Sequence, residues 1–324
     1  GRKDQVNALL QVCREALDLS SYGALYPKSS FGRSMSRAFW NATVKKDAEL
    51  KGLDYYNPQQ IVSYEDKVSD FLRVPEDFAE RERQQARNST AAAQNATRNA
   101  TLVPEPDFKA VFIPDSFSRA RILIPEFFYF NQPDLVFLGP AMWGQEIKRI
   151  SGLDMRYFRL TLLASPWWPD NSGRQQELLR RALERSVQEP PDFWVGLGYD
   201  FVRFAAELGL DARRGGDKKD LSRKLSSMNG FDWTLAPISW NKQGEARQDL
   251  FVLRPASDGV NRVRPEKLRT RLEKAREAKR KRLHALGAKN ATSEEVNRTV
   301  PSNEVFPHGE GGTDTEQGDP YENQ

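Results

Sequence analysis

Three short turns at strand ends carry the side chains of this sequence that could do chemistry. Each follows an apolar run. Ser29, Ser30 and Phe31 follow "YGALYP", Asp115, Ser116 and Phe117 follow "AVFIP", and Pro140, Ala141, Met142 and Trp143 follow "DLVFLG". The first two turns run straight into helical patterns. Free N–H groups at those helix starts would favour an anion or a carboxylate, and the aromatic rings could stack on an apolar part of the same ligand. The chemistry on offer is binding, and the candidate ligand-binding residues are Ser30, Phe31, Asp115, Ser116, Phe117 and Trp143. Structural roles suit several of them better: Ser30 and Ser116 as helix N-caps, and Phe31 as a staple for its helix.

Catalytic and metal chemistry find little support. The two histidines, His284 and His308, lie in a basic helix and in the carboxyl-terminal tail. A Ser-His-Asp or Cys-His site inside the folded region is therefore excluded, and Cys/His metal spacing is absent. "GLGYD", residues 196–200, lies inside a helical pattern and lacks the Lys-Ser/Thr of a phosphate loop. No spacing singles out a carboxylate pair for acid–base work. Cys13 is the only cysteine, so no internal disulfide can form. It shares a helical face with Val6, Leu9, Leu10 and Leu17 and reads as a core residue. Six Asn-X-Ser/Thr sites, at Asn41, Asn88, Asn95, Asn99, Asn290 and Asn297, follow from the abundance of Asn, Ala and Thr. The expectation is a chain that is not an enzyme and has no cofactor or metal.

The elements that must hold these turns alternate in the βαβα manner of a parallel sheet covered by helices. A helix over 3–18 precedes the strand "YGALYP". A helix after Gly32 repeats Met35, Ala38, Phe39 and Ala42, and "LDYYNP" is a short strand. "ERERQQARNSTAAAQNATRNATLVPEP" reads as a flexible surface insertion. "KAVFIP", a helix to about Asn131, "DLVFLG" and "FRLTLLAS" continue the alternation. "SPWWPDNSG" looks like a crossover, with Trp167 and Trp168 as hinge packing. Two helices follow, over 173–187 and 191–209, then strands "WTLAPISW" and "QDLFVLRP".

Charge divides the end of the chain from the rest. Residues 262–290 hold twelve Lys/Arg and three Glu, and residues 291–324 hold eight acids and one Arg. The remainder is nearly neutral, so a pI near 9.0 does not imply a nucleic-acid surface. Glu266, Glu273 and Glu277 alternate with Lys/Arg at helical spacing, which suits a solvated helix. Mean hydropathy is −0.70, and no apolar run reaches the roughly 18 residues of a membrane helix. The chain opens at Gly1 without an initiator Met or a signal-like stretch, as expected of a mature or partial product.

The ordered series "YGALYPKSSFGRSMSRAFWNATVKKDAELKGLDYYNP", "FKAVFIPDSFSRARILIPEFFYFNQPDLVFLGPAMWGQE", "PPDFWVGLGYDFVRFAAELG" and "SSMNGFDWTLAPISWNKQGEARQDLFVLRP" resembles the type I periplasmic-binding family of leucine/isoleucine/valine-binding proteins. "FIPD" followed by a helix and "LGPAMW" is closer to the penicillin-binding-protein activator subgroup. The resemblance implies an α/β fold, a parallel sheet flanked by helices, with the first lobe incomplete because a long upstream segment of the family pattern is missing. Residues 1–165 then form the second lobe, with a flexible insertion at 79–107. Residues 166–230 form a partial first lobe and 231–255 return strands. A basic helical extension over 256–287 and a disordered acidic tail over 288–324 have no counterpart.

By the same resemblance, Phe31 matches a frequent aromatic ligand contact, and Ser116 and Phe117 match the second contact loop. Amino-acid receptors place an acid on the third loop to hold the ligand's ammonium. Here Trp143 is near that place, with Glu146 three residues on. Tyr199 and Asp200 match a structural Tyr-Asp pair. The implied function is a non-catalytic bacterial envelope binding protein that regulates peptidoglycan synthesis by contact with a synthase. The alternative is the receptor of an ABC importer, with a small polar ligand and a permease as partners. Both imply a periplasmic or outer-membrane-associated place, no nucleic-acid partner and no transmembrane segment in the chain.

Overall fold

Apolar runs of three to eight residues, each followed by a helical repeat, fold as the period of their side chains dictates. The computed structural model describes residues 1–74, 102–186, 188–209, 221, 223–225, 228, 230–241, 244–285 and 289–291. In order come α1 (Arg2–Leu17), β1 (Ser21–Pro27), α2 (Ser30–Lys45), β2 (Glu49–Tyr56) and α3 (Tyr64–Leu72). Next are β3 (Leu102–Pro104), β4 (Ala110–Phe112), α4 (Phe117–Tyr129), β5 (Val136–Gly139), α5 (Trp143–Ile147) and β6 (Thr161–Ser165). Helices α6 (Arg174–Ser186) and α7 (Phe193–Glu207) follow. The chain then forms β7 (Ile238–Trp240), β8 (Ala246–Gln248), β9 (Phe251–Ala256), β10 (Gly259–Arg262), α8 (Pro265–Ala285) and β11 (Lys289–Ala291).

The main sheet has seven strands in the order β10-β9-β6-β5-β4-β1-β2. The five strands from β2 to β6 are parallel, and β9 and β10 close the edge as an antiparallel hairpin. Strand β1 lies between β2 and β4, so the chain first moves one way from β1 and then returns to β1's other side. The reversal opens a crevice between the carboxyl ends of β1 and β4, where open α/β sheets hold ligands. The parallel strands β4, β5 and β6 are buried along their length, as strands covered on both faces must be.

Two apolar clusters cover the two faces. One joins α1 and α2 to the sheet through Val6, Leu9, Cys13, Met35 and Phe39. The other joins α3, α4 and α5 through Val68, Phe71, Leu123, Phe127 and Trp143. Cys13 is fully enclosed, and burial pushes its thiol up to about 12, where it stays neutral.

The basic helix departs from the solvated reading. Leu268 and Leu272 of α8 enter the α1–α2 cluster, Leu283 enters the other, and Arg269 Nε donates to Ala16 O at 3.0 Å. Lys279 is buried as well. Its Nζ reaches Glu105 Oε2 at 3.1 Å, Gln132 Oε1 at 2.8 Å and, as an ion pair, Asp134 Oδ1 at 3.1 Å. Leu268, Leu272 and Leu283 therefore dock the helix on the core through both apolar clusters. Most of the insertion expected at 79–107 lies outside the described residues, and its end forms β3. Nearly all of the tail expected to be disordered over 288–324 also lies outside them. Lys289–Ala291, within that span, is a strand paired parallel with β3. No helix among the described residues is long and apolar enough to cross a membrane.

Candidate functional site

The predicted residues lie in three turns: Ser30 and Phe31 after β1, Asp115, Ser116 and Phe117 after β4, and Trp143 after β5. After β1 the chain enters α2, and Ser29, not Ser30, is the N-cap: its Oγ accepts from Gly32 N at 3.0 Å. Ser30 begins the helix and is exposed, and Phe31 is half-buried against the α1–α2 cluster. After β4, Ser116 occupies the N-cap position of α4 without using its hydroxyl as a cap. The cap comes from elsewhere. Glu146 Oε2 accepts from Ser118 N at 3.1 Å, and the same carboxylate accepts from Phe117 N. Burial raises the Glu146 carboxyl above its ordinary value, partly offset by those two N–H donors. The dipole end that would hold a ligand's anion is met by a side chain of the chain itself.

Asp115 is buried and fully engaged. Its Oδ1 accepts from Ser116 N at 2.7 Å and from Arg119 Nη1 at 2.9 Å, and its Oδ2 accepts from Tyr56 OH at 2.7 Å. Tyr56 ends β2, so this bond ties the third strand end into the turn. Burial and then the Asp115 charge hold the Tyr56 hydroxyl far above the ordinary tyrosine range. Tyr64 is raised by the same two causes. Burial works against the Arg119 charge, but Asp115 outweighs it and raises the guanidinium.

Phe117 and Trp143 face the core. Both are completely buried, with ring centroids 5.4 Å apart in an edge-to-face arrangement. Trp143 Nε1 donates to Asp115 O at 2.6 Å. The indole lies flat against Gly139, where an added Cβ would sit 2.1 Å from the ring. Thus Asp115, Ser116, Phe117 and Trp143 form one connected cluster, while Ser30 and Phe31 sit at the neighbouring strand end. The solvent side of the crevice is left to Ser30, Phe31 and Ser116. Glu146 was legible only as an acid near the third loop; that it caps a helix starting 29 residues earlier has no local signal.

Other polar features lie around this cluster. Ala141 N, in the third turn, donates to Gln5 Oε1 at 2.9 Å. A cavity of about 540 Å³ is lined by Asp4, Asn7, Gln11, Lys46, Arg247 and Asp249, and by none of the predicted site residues. Among the described residues no group of three or more His, Cys, Asp or Glu converges so as to hold a metal. Beyond β6, Trp167 packs over Gly196, and Asp200 accepts from Thr234 N and Leu235 N, fastening α7 to the chain before β7.

No protein-family model and no curated protein matches the chain. Solved structures do. An ABC transporter substrate-binding protein from Desulfitobacterium hafniense superposes with a TM-score of 0.53 at 13% identity, covering 81% of this chain and 66% of that one. A putative branched-chain amino acid ABC transporter from Rhodospirillum rubrum gives 0.53 at 12%, covering 79% and 63%. The C-domain of LpoA from Haemophilus influenzae, a regulator of PBP1A, gives 0.49 at 11%, covering 82% and 67%. The chain spans just under two thirds of the length of the first two. With the strand order β2-β1-β4-β5-β6 and the likeness to the first two of these structures, the chain has the fold of the type I periplasmic binding proteins.

Proposed function

We propose that this chain is a non-catalytic binding protein of the bacterial envelope that works by protein contact, as a regulator of peptidoglycan synthesis. The observation that supports this reading is the closure of α4's N-terminus by Glu146. The N–H groups that would grip a ligand carboxylate already have one. Phe117 and Trp143 are in the core, which leaves the crevice short of aromatic walls for a small solute. The sequence resemblance names the partner class, a membrane-anchored peptidoglycan synthase.

A second reading, the receptor of an ABC importer, is favoured by one observation. Ser30 is exposed and Phe31 and Ser116 are half-buried at the same end of the sheet, and proteins of this fold include a putative branched-chain amino acid ABC transporter. Thermal melting with a panel of amino acids and sugars separates the two. A solute at 100 times its dissociation constant would stabilise the chain by about 2.7 kcal/mol. We expect no shift, and binding instead to the periplasmic region of a synthase in a surface-immobilised assay. A shift with an amino acid that vanishes in Ser30→Ala/Phe31→Ala would establish the receptor.

A further inference from the structure

Helix α8 buries one side and shows the other. Leu268, Leu272, Lys279 and Leu283 are buried, while Lys267, Lys274, Arg276, Arg280, Lys281 and Arg282 are exposed. Among the described residues, Lys279 and Lys281 are the only bases of this helix in ion pairs. Arg271 is half-buried and lies near Arg254 of β9. Burial and then the Arg271 charge hold the Arg254 guanidinium below its ordinary value. Neither arginine has an acid partner among the described residues. The acids of the helix itself, Glu266, Glu273 and Glu277, are too few to balance it, since residues 262–290 hold twelve Lys/Arg. An unbalanced row of cations draws a partner of opposite charge.

We propose that the exposed basic side of α8 is the docking surface for the acidic segment of the same chain, residues 294–322. Residues 291–324 hold eight acids and one Arg, which complements the helix in sign and nearly in size. The segment also starts in the right place. Lys289–Ala291 pairs with β3, and Glu105, the residue after β3, accepts from Lys279 Nζ at 3.1 Å. The chain therefore leaves β11 beside the second half of α8. Along the helix Lys267 is about 18 Å from Lys279, a span of roughly six extended residues, so the acids from Glu294 to Glu310 can reach the whole row. A tether this short sets an effective concentration on the order of millimolar. Other occupants fit less well. A lipid surface takes an amphipathic helix by its apolar side, and that side of α8 is in the core. A nucleic acid would meet the like charge of the acidic segment. The inference uses neither the crevice nor a synthase, so it stands or falls apart from the proposed function.

The test uses the full 324-residue chain. A carbodiimide joins an amine to a carboxylate only in direct contact. It should link Lys267, Lys274 or Lys281 to glutamates of 294–322 within the monomer, as read by mass spectrometry. The links should vanish at about 1 M salt, where charges are screened beyond roughly 3 Å. A second measurement reads how free the surface is, with heparin as a polyanion that competes for the same cations. The variant Glu294→Gln/Glu295→Gln/Glu304→Gln/Glu310→Gln should bind heparin at least about tenfold more tightly than the wild type. The comparison is made near 0.15 M salt, where an undocked segment more than about 8 Å away is screened. Adding Lys274→Gln/Arg276→Gln/Arg280→Gln to both proteins should remove most of the difference, and these side chains are exposed, so the fold is kept. Four results would overturn the inference: no link to residues 294–322, links only between two molecules, equal heparin binding by the wild type and the glutamine variant, or a difference that survives the changes on α8.

Discussion

At the scale of single residues, the strand-end turns hold themselves together with polar bonds in an apolar setting. Tyr56 is 2% exposed and Asp115 5%, so each group that loses a partner there cannot turn to water. Tyr56→Phe removes one of three donors to the Asp115 carboxylate, and we expect a loss of about 1–3 kcal/mol in urea unfolding. Glu146 makes a second, pH-dependent case. A carboxyl raised in the folded chain binds its proton more tightly folded than unfolded. Its contribution therefore falls as pH rises from the ordinary value of 4.5 through the raised one. Glu146→Gln keeps an acceptor for the α4 N–H groups but removes the charge. Its stability profile should be flatter than the wild type's above pH 4.5, measured by melting across pH.

At the scale of elements, α8 is the clearest case of a docked surface inside a charged sequence. Its buried Lys279 faces Glu105 and Asp134, while Lys281 pairs with Glu277 in solvent. Removing Lys279 takes the ammonium away from Asp134 and leaves Glu105 with Lys109 alone. Lys279→Ala should cost about 3 kcal/mol, the low end for a buried pair because Glu105 keeps some exposure. Lys281→Ala should leave the melting temperature unchanged. Burial alone would raise Glu105, but Lys279 and Lys109 outweigh it and hold the carboxyl below its ordinary 4.5. Stability from that group is present above 4.5 and lost as pH falls through the lower folded value. The wild type should thus lose stability on acidification more steeply than Lys279→Ala does, a comparison that melting curves between pH 5 and pH 3 would check.

At the scale of the whole molecule, stability is concentrated where both faces of the sheet are covered. Strands β4, β5 and β6 lie between the two apolar clusters, whereas α6 and α7 contribute no buried residue to either. Hydrogen exchange should therefore rank β4–β6 as the slowest segment and α6–α7 among the fastest of the helices. Equal protection of α7 and β5 in the isolated chain would contradict this arrangement.

The alternation of apolar runs and helical repeats determined the α/β class, the strands at 110–112, 136–139 and 161–165, and the core position of Cys13, because these follow from side-chain periods of two and 3.6 along a few residues. The polar turns at Ser29–Phe31 and Asp115–Phe117 were legible for the same reason: they interrupt those periods. Tertiary structure alone decided which way their side chains point. Phe117 and Trp143 turn inward because Gly139, four residues before the tryptophan, leaves the space an indole fills. Glu146 reaches α4, Tyr56 reaches Asp115 across 59 residues, and Lys279 reaches Glu105 across 174. Partners so far apart are chosen by how the layers close on one another, and no local pattern carries that choice.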